Sequence, residues 1–340
     1  MHDFYSDTKT RPTRAMRETA LSADVGDEQK GEDPTTEELC TRVADLLGKA
    51  AAVFLPSGTM CNEIAIRVHV RPGDEIICER SCHIVGFEGG GPAAISGAMI
   101  HPLDGTGGVF SANQVRGAIR FASRYDPPSR LLCVEQTANL AGGAIWPLSS
   151  IDAVTAAAKE AGLATHLDGA RLMNAVVETG IAADRWAAPF ESVWIDFTKG
   201  LGAPVGAVLA GSTDFIDRAW RFKQQFGGAM RQSGIVAAMC LHALDFHVDR
   251  LAEDHRRAST ISDHLGTLAK VARVLPVQTN IVIFDIADDG PTAEELVLRC
   301  GEESVIIGEF GERRIRIVTH LDVDDTSVAA LCNSLSRELG

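Results

Sequence analysis

A lysine lies directly after an apolar run of this sequence, where a positive charge is uncommon. Lys199 follows the segment 192–197 and precedes a stretch of small residues at 200–206. Burial of an ammonium group is costly, so a lysine at the end of a buried strand favours use as a neutral amine that forms a Schiff base. A surface lysine at a strand end is the alternative that this stretch alone leaves open.

A carboxylate holds the corresponding place one strand earlier. Asp168 follows the apolar run 162–167 and precedes Gly169, Ala170 and Arg171. Pyridoxal phosphate requires a carboxylate that keeps its pyridinium nitrogen protonated and a lysine that binds its aldehyde carbon. Asp168 and Lys199 together therefore predict pyridoxal phosphate as the cofactor.

The tripeptide Ser57-Gly58-Thr59 lies between a predicted strand and a predicted helix. The backbone amides of a helix start and two hydroxyl groups would suit the phosphate of such a cofactor. Serine and threonine are also good helix caps, so capping alone is the other interpretation.

His83 comes after a strand end and before a glycine cluster at 89–91. Its imidazole could stack on a pyridine ring, or it could be a hydrogen-bonded core histidine. Glu88 could be a helix-surface carboxylate or a buried acid near the cofactor, and the sequence pattern does not separate these alternatives.

Three arginines are candidates for binding anionic groups. Arg171 and Arg316 could each hold a substrate carboxylate, because a guanidinium presents a rigid fork of donors. Arg316 alternates with Ile315 and Ile317, so an exposed strand arginine is its alternative. Arg231 follows a glycine pair and could equally be a charge on a helix surface.

The elements that must position these residues alternate between strand and helix. Strands are predicted at 52–55, 75–79, 98–101, 130–135, 163–167, 192–197, 205–210, 280–284 and 314–318. Helices are predicted at 59–70, 113–124, 150–161, 213–223, 233–264 and 325–338. This alternation predicts an α/β fold with a mostly parallel, seven-stranded sheet flanked by helices, and a ligand site at the carboxyl ends of the strands. We expect an N-terminal segment (1–45) that wraps the active site, a large cofactor-binding domain (46–245) and a small α+β C-terminal domain (246–340).

Composition excludes several other classes of protein. The net charge of the 340 residues is −14 and no long basic cluster occurs, which argues against nucleic-acid binding. No apolar run reaches membrane-spanning length, and the polar N-terminus does not resemble a signal peptide. The eight cysteines show no metal-type spacing and lie mostly in apolar segments, as in reduced cytoplasmic proteins. We therefore expect a cytoplasmic enzyme, and the sequence gives no metal ligand set.

Together these motifs resemble the threonine aldolase family, whose members are pyridoxal-phosphate enzymes of the aspartate-aminotransferase (type I) fold. The resemblance extends over essentially the whole chain, and its motifs occur in family order. The matching segments are 3–12, 31–35, 56–59, 83–90, 135–137, 168–171, 199–206, 228–232 and 316–320.

The resemblance implies a role for each candidate residue. Lys199 would bind the cofactor aldehyde, Asp168 would pair with the pyridinium, and His83 would stack on the ring. Substrate carboxylate binding would fall to Ser6, Arg171 and Arg316. The phosphate would be bound by Ser57, Gly58 and Thr59, with help from Arg231, either of the same chain or of a neighbouring subunit. Family members form their sites at dimer interfaces, usually in a tetramer of two dimers.

Two positions depart from the family pattern. Ala138 stands where a histidine usually contacts the substrate β-hydroxyl, and Lys30 stands where tyrosine is common. Both belong to the part of the site that would bind the substrate side chain. We therefore predict weak discrimination between β-hydroxyl configurations and a preference for larger or anionic substrates, although Lys30 could simply face solvent.

The reaction that the resemblance implies is cleavage of a β-hydroxy-α-amino acid, such as threonine, allo-threonine or phenylserine, to glycine and an aldehyde. A related lyase or transaldolase that acts on a larger or anionic β-substituted amino acid is the enzymatic alternative. A catalytically inert pyridoxal-phosphate-binding homologue is the non-enzymatic alternative. His83 acting through water, or an unidentified group, would accept the proton of the β-hydroxyl.

Overall fold

Strands and helices alternate along most of the chain in the computed structural model, which describes residues 1–340. The strands are β1 (His2–Asp3), β2 (Ala51–Leu55), β3 (Glu75–Glu79), β4 (Met99–Leu103), β5 (Ser129–Glu135), β6 (Ala164–Gly169), β7 (Ser192–Asp196), β8 (Ala207–Gly211), β9 (Val271–Val274), β10 (Ile281–Ile286), β11 (Val305–Ile306), β12 (Gly308–Glu309) and β13 (Arg314–Val318). The helices are α1 (Arg14–Leu21), α2 (Pro34–Leu46), α3 (Gly58–His69), α4 (His83–Gly86), α5 (Gly91–Ser96), α6 (Ala112–Ala118), α7 (Leu148–Glu160), α8 (Leu172–Thr179), α9 (Ala183–Ala187), α10 (Thr213–Gln225), α11 (Gly234–Phe246), α12 (Leu251–Leu265), α13 (Ala293–Glu302) and α14 (Asp325–Leu339).

Seven strands form the central sheet, in the order β2-β8-β7-β6-β5-β3-β4. Only β8 is antiparallel to its neighbours, and every residue of β7 and β8 is buried. Apart from Ser192 and Asp196 at the ends of β7, these two strands consist of apolar residues and glycine, as expected for a sheet packed between helices. The predicted α/β fold is therefore confirmed. The parallel order brings the carboxyl ends of β5, β6 and β7 to one edge of the sheet.

A second, antiparallel sheet has the order β12-β13-β10-β9 and packs with α12, α13 and α14 around its own apolar core. The N-terminal segment contacts both cores, because Phe4 is buried in this one while Met16 and Leu39 are buried against the central sheet. Strand β1 also pairs with β11. The division of the chain into three parts at 45/46 and 245/246 stays a prediction.

Two helices differ from their predicted bounds. The helix expected at 113–124 ends at Ala118, because Ile119 adopts an extended backbone and the loop that follows contains Pro127 and Pro128. The helix expected at 233–264 is two helices, α11 and α12. The break at His247 is held by a hydrogen bond of 2.7 Å between its Nδ1 and the carbonyl oxygen of Leu201. Seven helices were not predicted: α1, α2, α4, α5, α8, α9 and α13.

Three features found in other classes of protein are absent from this structure. None of the helices has both the length and the apolar character needed to cross a bilayer. All eight cysteines are free thiols. No group of three or more histidine, cysteine, aspartate or glutamate side chains is arranged to hold a metal ion. The tertiary structure therefore depends on packing and hydrogen bonds, without covalent cross-links.

Candidate active site

A cleft of about 350 Å³ lies at the carboxyl ends of β5, β6 and β7. The N-terminal segment closes one side of it, and the second sheet contributes Phe310 and Arg316. Nine of the residues predicted from the sequence line this cleft: Ser6, Ser57, Gly58, Thr59, His83, Asp168, Arg171, Lys199 and Arg316. The structure therefore brings together residues from four distant parts of the chain.

Lys199 lies three residues after the end of β7, and its side chain is mostly buried. Its ammonium group forms an ion pair with Asp196, the last residue of that strand. Asp196 also accepts hydrogen bonds from the backbone and hydroxyl of Thr198, at 2.9 and 2.8 Å, which fix its orientation. The lysine is thus held in the cleft by a partner that an incoming aldehyde would have to displace.

Asp168 occupies the end of β6 and is almost completely buried. Its Oδ2 accepts a hydrogen bond of 2.8 Å from the amide of Asn62, and its Oδ1 accepts one of 3.0 Å from the backbone of Ala170. Burial raises the pKa of this carboxyl, while His83 and the Asn62 hydrogen bond oppose the rise. A buried carboxylate of fixed direction is the partner that a protonated ring nitrogen requires.

His83 begins α4 and faces the cleft with part of its ring exposed. Its Nδ1 lies 2.7 Å from Oε1 of Glu88, and its backbone donates to Oε2 of Glu135 at 2.6 Å. Burial opposes the charged imidazole, but the hydrogen bond to Glu88 and the charge of Asp168 outweigh it and raise the pKa of His83. Glu88, whose position the sequence left open, is buried.

The start of α3 faces the cleft with backbone N–H groups that have no hydrogen-bond acceptor. Ser57 caps the helix by accepting a hydrogen bond from Met60, while the backbone N–H groups of Gly58 and Thr59 have no acceptor in the protein. A side chain at Gly58 would overlap the indole of Trp194, so glycine is needed for close packing. Two free amides at a helix start, beside the hydroxyl of Thr59, fit a phosphate group.

Arg316 is buried on β13 and lacks a complete set of partners. Its Nη2 donates to Oδ1 of Asn139 at 2.8 Å, and its guanidinium lies 5.2 Å from the ring centroid of Phe310. Its Nε is buried without any hydrogen-bond partner. Burial and the nearby Arg171 lower the pKa of Arg316 to about 10. A buried donor that lacks a partner beside an open cleft favours an anionic ligand.

Arg171 is already paired within the protein. Its Nε and Nη2 each lie 2.7 Å from a carboxylate oxygen of Asp7. Its Nη1 lies 3.5 Å from Oδ1 of Asn139, which also binds Arg316. The fork that the sequence suggested for a substrate carboxylate therefore binds Asp7 instead. Only the remaining amino group is directed toward Asn139.

Two predicted residues lie outside the cleft of this chain. Arg231 is exposed and forms an ion pair of 2.8 Å with Asp27. Lys30 is exposed at the end of the short turn Glu28–Lys30. This turn contacts the segment that carries Arg231, because the backbone of Glu28 donates to the carbonyl oxygen of Arg231 at 3.0 Å. Lys30 and Arg231 therefore share one surface.

Ala138 is also absent from the cleft wall, although its neighbour Asn139 lines it. Its backbone pairs with Ala144, and its methyl group faces the loop at Gly108. A Cβ at Gly108 would lie 2.5 Å from that methyl. The alanine therefore fills a tight contact under this loop, and it does not leave an opening beside the substrate.

Sequence reasoning missed several residues that complete the site. Asp196 could have been found as an acid at the end of a buried strand, three residues before Lys199. Asp7 and Asn139 gave no such signal, because their importance depends on the chain returning to the same cleft. The other residues that were not predicted are Tyr5, Thr8, Asn62, Phe87, Glu135, Ala170, Trp194, Thr198 and Phe310.

Comparison with known proteins shows the family of this chain. A family model described as Beta-eliminating lyase matches residues 3–289. This chain belongs to the beta-eliminating lyase family. It is 37% identical over 335 residues to low-specificity L-threonine aldolase 1 of Arabidopsis thaliana, covering 96% of this chain and 93% of that protein. It is also 37% identical over 340 residues to the low specificity L-threonine aldolase of Escherichia coli K12, covering 97% and 96%. The resemblance that the motifs predicted is confirmed.

Solved structures support the fold of this beta-eliminating lyase family member. The threonine aldolase of Leishmania major superposes with a TM-score of 0.86 over 99% of both chains, at 18% identity. A likeness at this identity establishes the architecture. The residues of the cleft fit pyridoxal phosphate by their own chemistry, because they offer free amides for a phosphate, an acid for a ring nitrogen and a lysine for an aldehyde.

Proposed function

We propose that this protein is a pyridoxal-phosphate-dependent aldehyde-lyase that cleaves β-hydroxy-α-amino acids of the threonine, allo-threonine and phenylserine type to glycine and an aldehyde. One observation carries the proposal. Lys199, Asp168 and His83 line the same cleft as Arg316, whose buried Nε has no hydrogen-bond partner. The cleft thus offers groups for the cofactor and a donor for the carboxylate of an amino acid. The relatives' names supply the reaction class.

Bound pyridoxal phosphate would supply an electron-accepting ring that stabilises the negative charge left on Cα when the Cα–Cβ bond breaks. Lys199 would hold the aldehyde carbon. Asp168 would keep the ring nitrogen protonated. The amides of Gly58 and Thr59, with Ser57, would hold the phosphate.

We propose that Arg316 orients the substrate. Its Nε and Nη2 edge would bind the carboxylate, with Ser6 nearby and Asn139 fixing the guanidinium. A carboxylate held at this point would fix the orientation of the substrate's bonds to Cα. Arg171 would act by holding Asp7 and Asn139 in place, with a smaller direct contact to substrate.

The proton of the β-hydroxyl needs an acceptor in the cleft. His83 is our candidate, directly or through water, because Glu88 binds its Nδ1 and leaves its Nε2 without a protein partner. The pKa of His83 is raised, and the imidazole would accept the proton only above that pKa.

A homo-oligomer, expected to be a tetramer built from two dimers, would explain why Lys30 and Arg231 lie on the surface and outside the cleft of their own chain. We propose that this surface meets the cleft of a neighbouring subunit, where Arg231 would bind the phosphate and Lys30 would contact the substrate side chain. Mixing Lys199→Ala with Arg231→Ala protein tests this arrangement. Hybrids would regain activity if the two residues act in one shared site, and no recovery in verified hybrids would contradict the sharing.

The cellular location that we propose is the cytoplasm, because eight thiols without a disulfide suit a reducing compartment. The partners are small amino acids, and a basic surface for nucleic acid is not expected at a net charge of −14.

Product analysis of the purified protein with bound cofactor tests the reaction. A panel of β-hydroxy amino acids, including acidic ones, should yield glycine and aldehyde in equal amounts. Release of a 2-oxo acid and ammonia instead would favour β-elimination, the reaction of the related lyase. A bound cofactor whose absorbance does not respond to glycine or to any member of the panel would indicate an inert binding protein.

A further inference from the structure

A pair of buried glutamates lies behind His83. Glu63 is on α3, one residue after Asn62, and its side chain is buried beside Glu88. Helix α5 packs so closely there that a side chain at Gly91 would overlap the Glu63 carboxyl. Gly91 also donates its backbone N–H to the carbonyl oxygen of Glu88 at 2.9 Å, so the Glu63 carboxyl and the Glu88 backbone lie against the same glycine.

Hydrogen bonding of these acids is incomplete if both are ionised. Oε1 of Glu88 accepts from Asn62 and from Nδ1 of His83, each at 2.7 Å. Oε2 of Glu88 and both oxygens of Glu63 are buried without a donor. Two carboxylates can satisfy each other only when one of them carries a proton, and an unpaired buried charge is costly.

The charges around the pair favour the same arrangement. Glu135 and Asp168 lie on the neighbouring strands and add negative charge near His83, while His166 contacts Asn62 and is neutral because burial lowers its pKa to about 3. His83 is the one cation that contacts Glu88. Burial and the charge of Glu88 raise the pKa of Glu63 to about 8.

We propose that Glu63 is a positioning residue that stays protonated at neutral pH and donates its proton to Glu88. The hydrogen bond fixes Glu88 as a single anion whose Oε1 accepts from His83. It thereby keeps the histidine proton on Nδ1 and directs Nε2 into the cleft. This inference concerns the histidine of the proposed aldolase site and rests on that proposal for its kinetic consequence.

Infrared difference spectroscopy of the protein with bound cofactor tests the proton directly. The wild-type spectrum minus that of Glu63→Gln at pH 6 should contain the carbonyl band of one protonated carboxylic acid, and the band should disappear as the pH rises through about 8. Asp7→Asn is the matched control, because Asp7 is buried but ionised by Arg171 and its loss removes no such band. Absence of the band in the Glu63 difference spectrum overturns the proposal.

Kinetics with two variants separate positioning from packing. Glutamine can still donate to Glu88, so Glu63→Gln should keep kcat within about threefold, whereas Glu63→Met fills the space without a donor and should lower kcat at least about tenfold. The variants should unfold at similar temperatures. Equal losses in both variants would contradict the donor role. The infrared result does not depend on which amino acid is cleaved. It therefore tests the protonation of Glu63 independently of the proposed function.

Discussion

Asp7 and Arg171 form a buried, two-pronged ion pair, in which Nε and Nη2 each lie 2.7 Å from a carboxylate oxygen. Asp7 also accepts a hydrogen bond of 3.1 Å from Asn280. The pair thereby connects the N-terminal segment, the central sheet and the residue that precedes strand β10 of the second sheet. Because Asp7 occupies the guanidinium fork of Arg171, we propose Arg316 as the main donor for a substrate carboxylate.

Replacement of Asp7 by Asn should destabilise the protein by about 3–5 kcal/mol at pH 7, because it leaves a buried guanidinium without its counter-charge. Burial opposes ionisation, but Arg171 outweighs it and lowers the pKa of Asp7. The stabilisation is therefore present above the unfolded-state pKa of about 4 and is lost as the pH falls toward the lower folded-state value. Denaturant unfolding at several pH values measures it.

The matched control for this prediction is Asp152→Asn. Asp152 forms a similar pair with Arg185, but both side chains are about half exposed. The control should change stability by less than about 1 kcal/mol. Equal effects of the two substitutions would contradict the importance of burial.

The pH dependence of cleavage should report His83. Its pKa is raised, so the free-enzyme kcat/KM for a β-hydroxy amino acid should increase with pH through a midpoint above about 6.5, the ordinary histidine value. Glu88→Gln removes the carboxylate that supports the charged imidazole and should move this midpoint to lower pH. A midpoint that is identical in the two proteins would exclude His83 as its source.

Arg316→Lys should raise KM for amino acids at least about tenfold, since a point ammonium cannot replace a two-pronged donor. Arg314→Lys is a fair control on the same strand, because Arg314 pairs with Asp285 and does not line the cleft. Amides of the same amino acids should be poor substrates of the native enzyme. Comparable rates for acid and amide would rule out carboxylate binding by Arg316.

Discrimination between the two β-hydroxyl configurations should be weak. The methyl of Ala138 lies under the loop at Gly108, and position 138 offers no polar group to the β-hydroxyl. With no polar group at position 138, His83 is the only proposed partner of the β-hydroxyl, and one partner that can act through water separates hydroxyl isomers poorly, so kcat/KM values for threonine and allo-threonine should agree within about tenfold. A preference above about a hundredfold, measured by aldehyde release, would show that another group binds the hydroxyl.

The positions of Asp168 and Lys199 were predictable because both lie at or just after the ends of parallel strands. Asp168 and Lys199 each come after an apolar run, and parallel strands place such positions at one edge of the sheet. The same reasoning predicted the seven-stranded central sheet, and it placed the two residues at the ends of consecutive predicted strands. Their roles in chemistry stay predictions.

Contacts between residues that are far apart in the sequence were harder to predict, since a local sequence pattern does not show which distant residues meet in space. Arg171 was predicted to bind substrate because Asp7, its partner, is far away in sequence. Glu63 was not singled out because adjacent polar residues in a helix usually indicate a solvent face. Helix α3 instead packs against the sheet, α5 and α10, which buries every residue from Cys61 to Ile66.

The location of the cofactor linkage tests the account most directly. The protein with bound pyridoxal phosphate should be reduced with borohydride, digested and analysed by mass spectrometry. We predict that the reduced cofactor is attached to Lys199, and that Lys199→Ala loses the attachment and at least about 1,000-fold of the cleavage activity while keeping its fold. Attachment to another lysine, such as the buried Lys223, would contradict the assignment of the site.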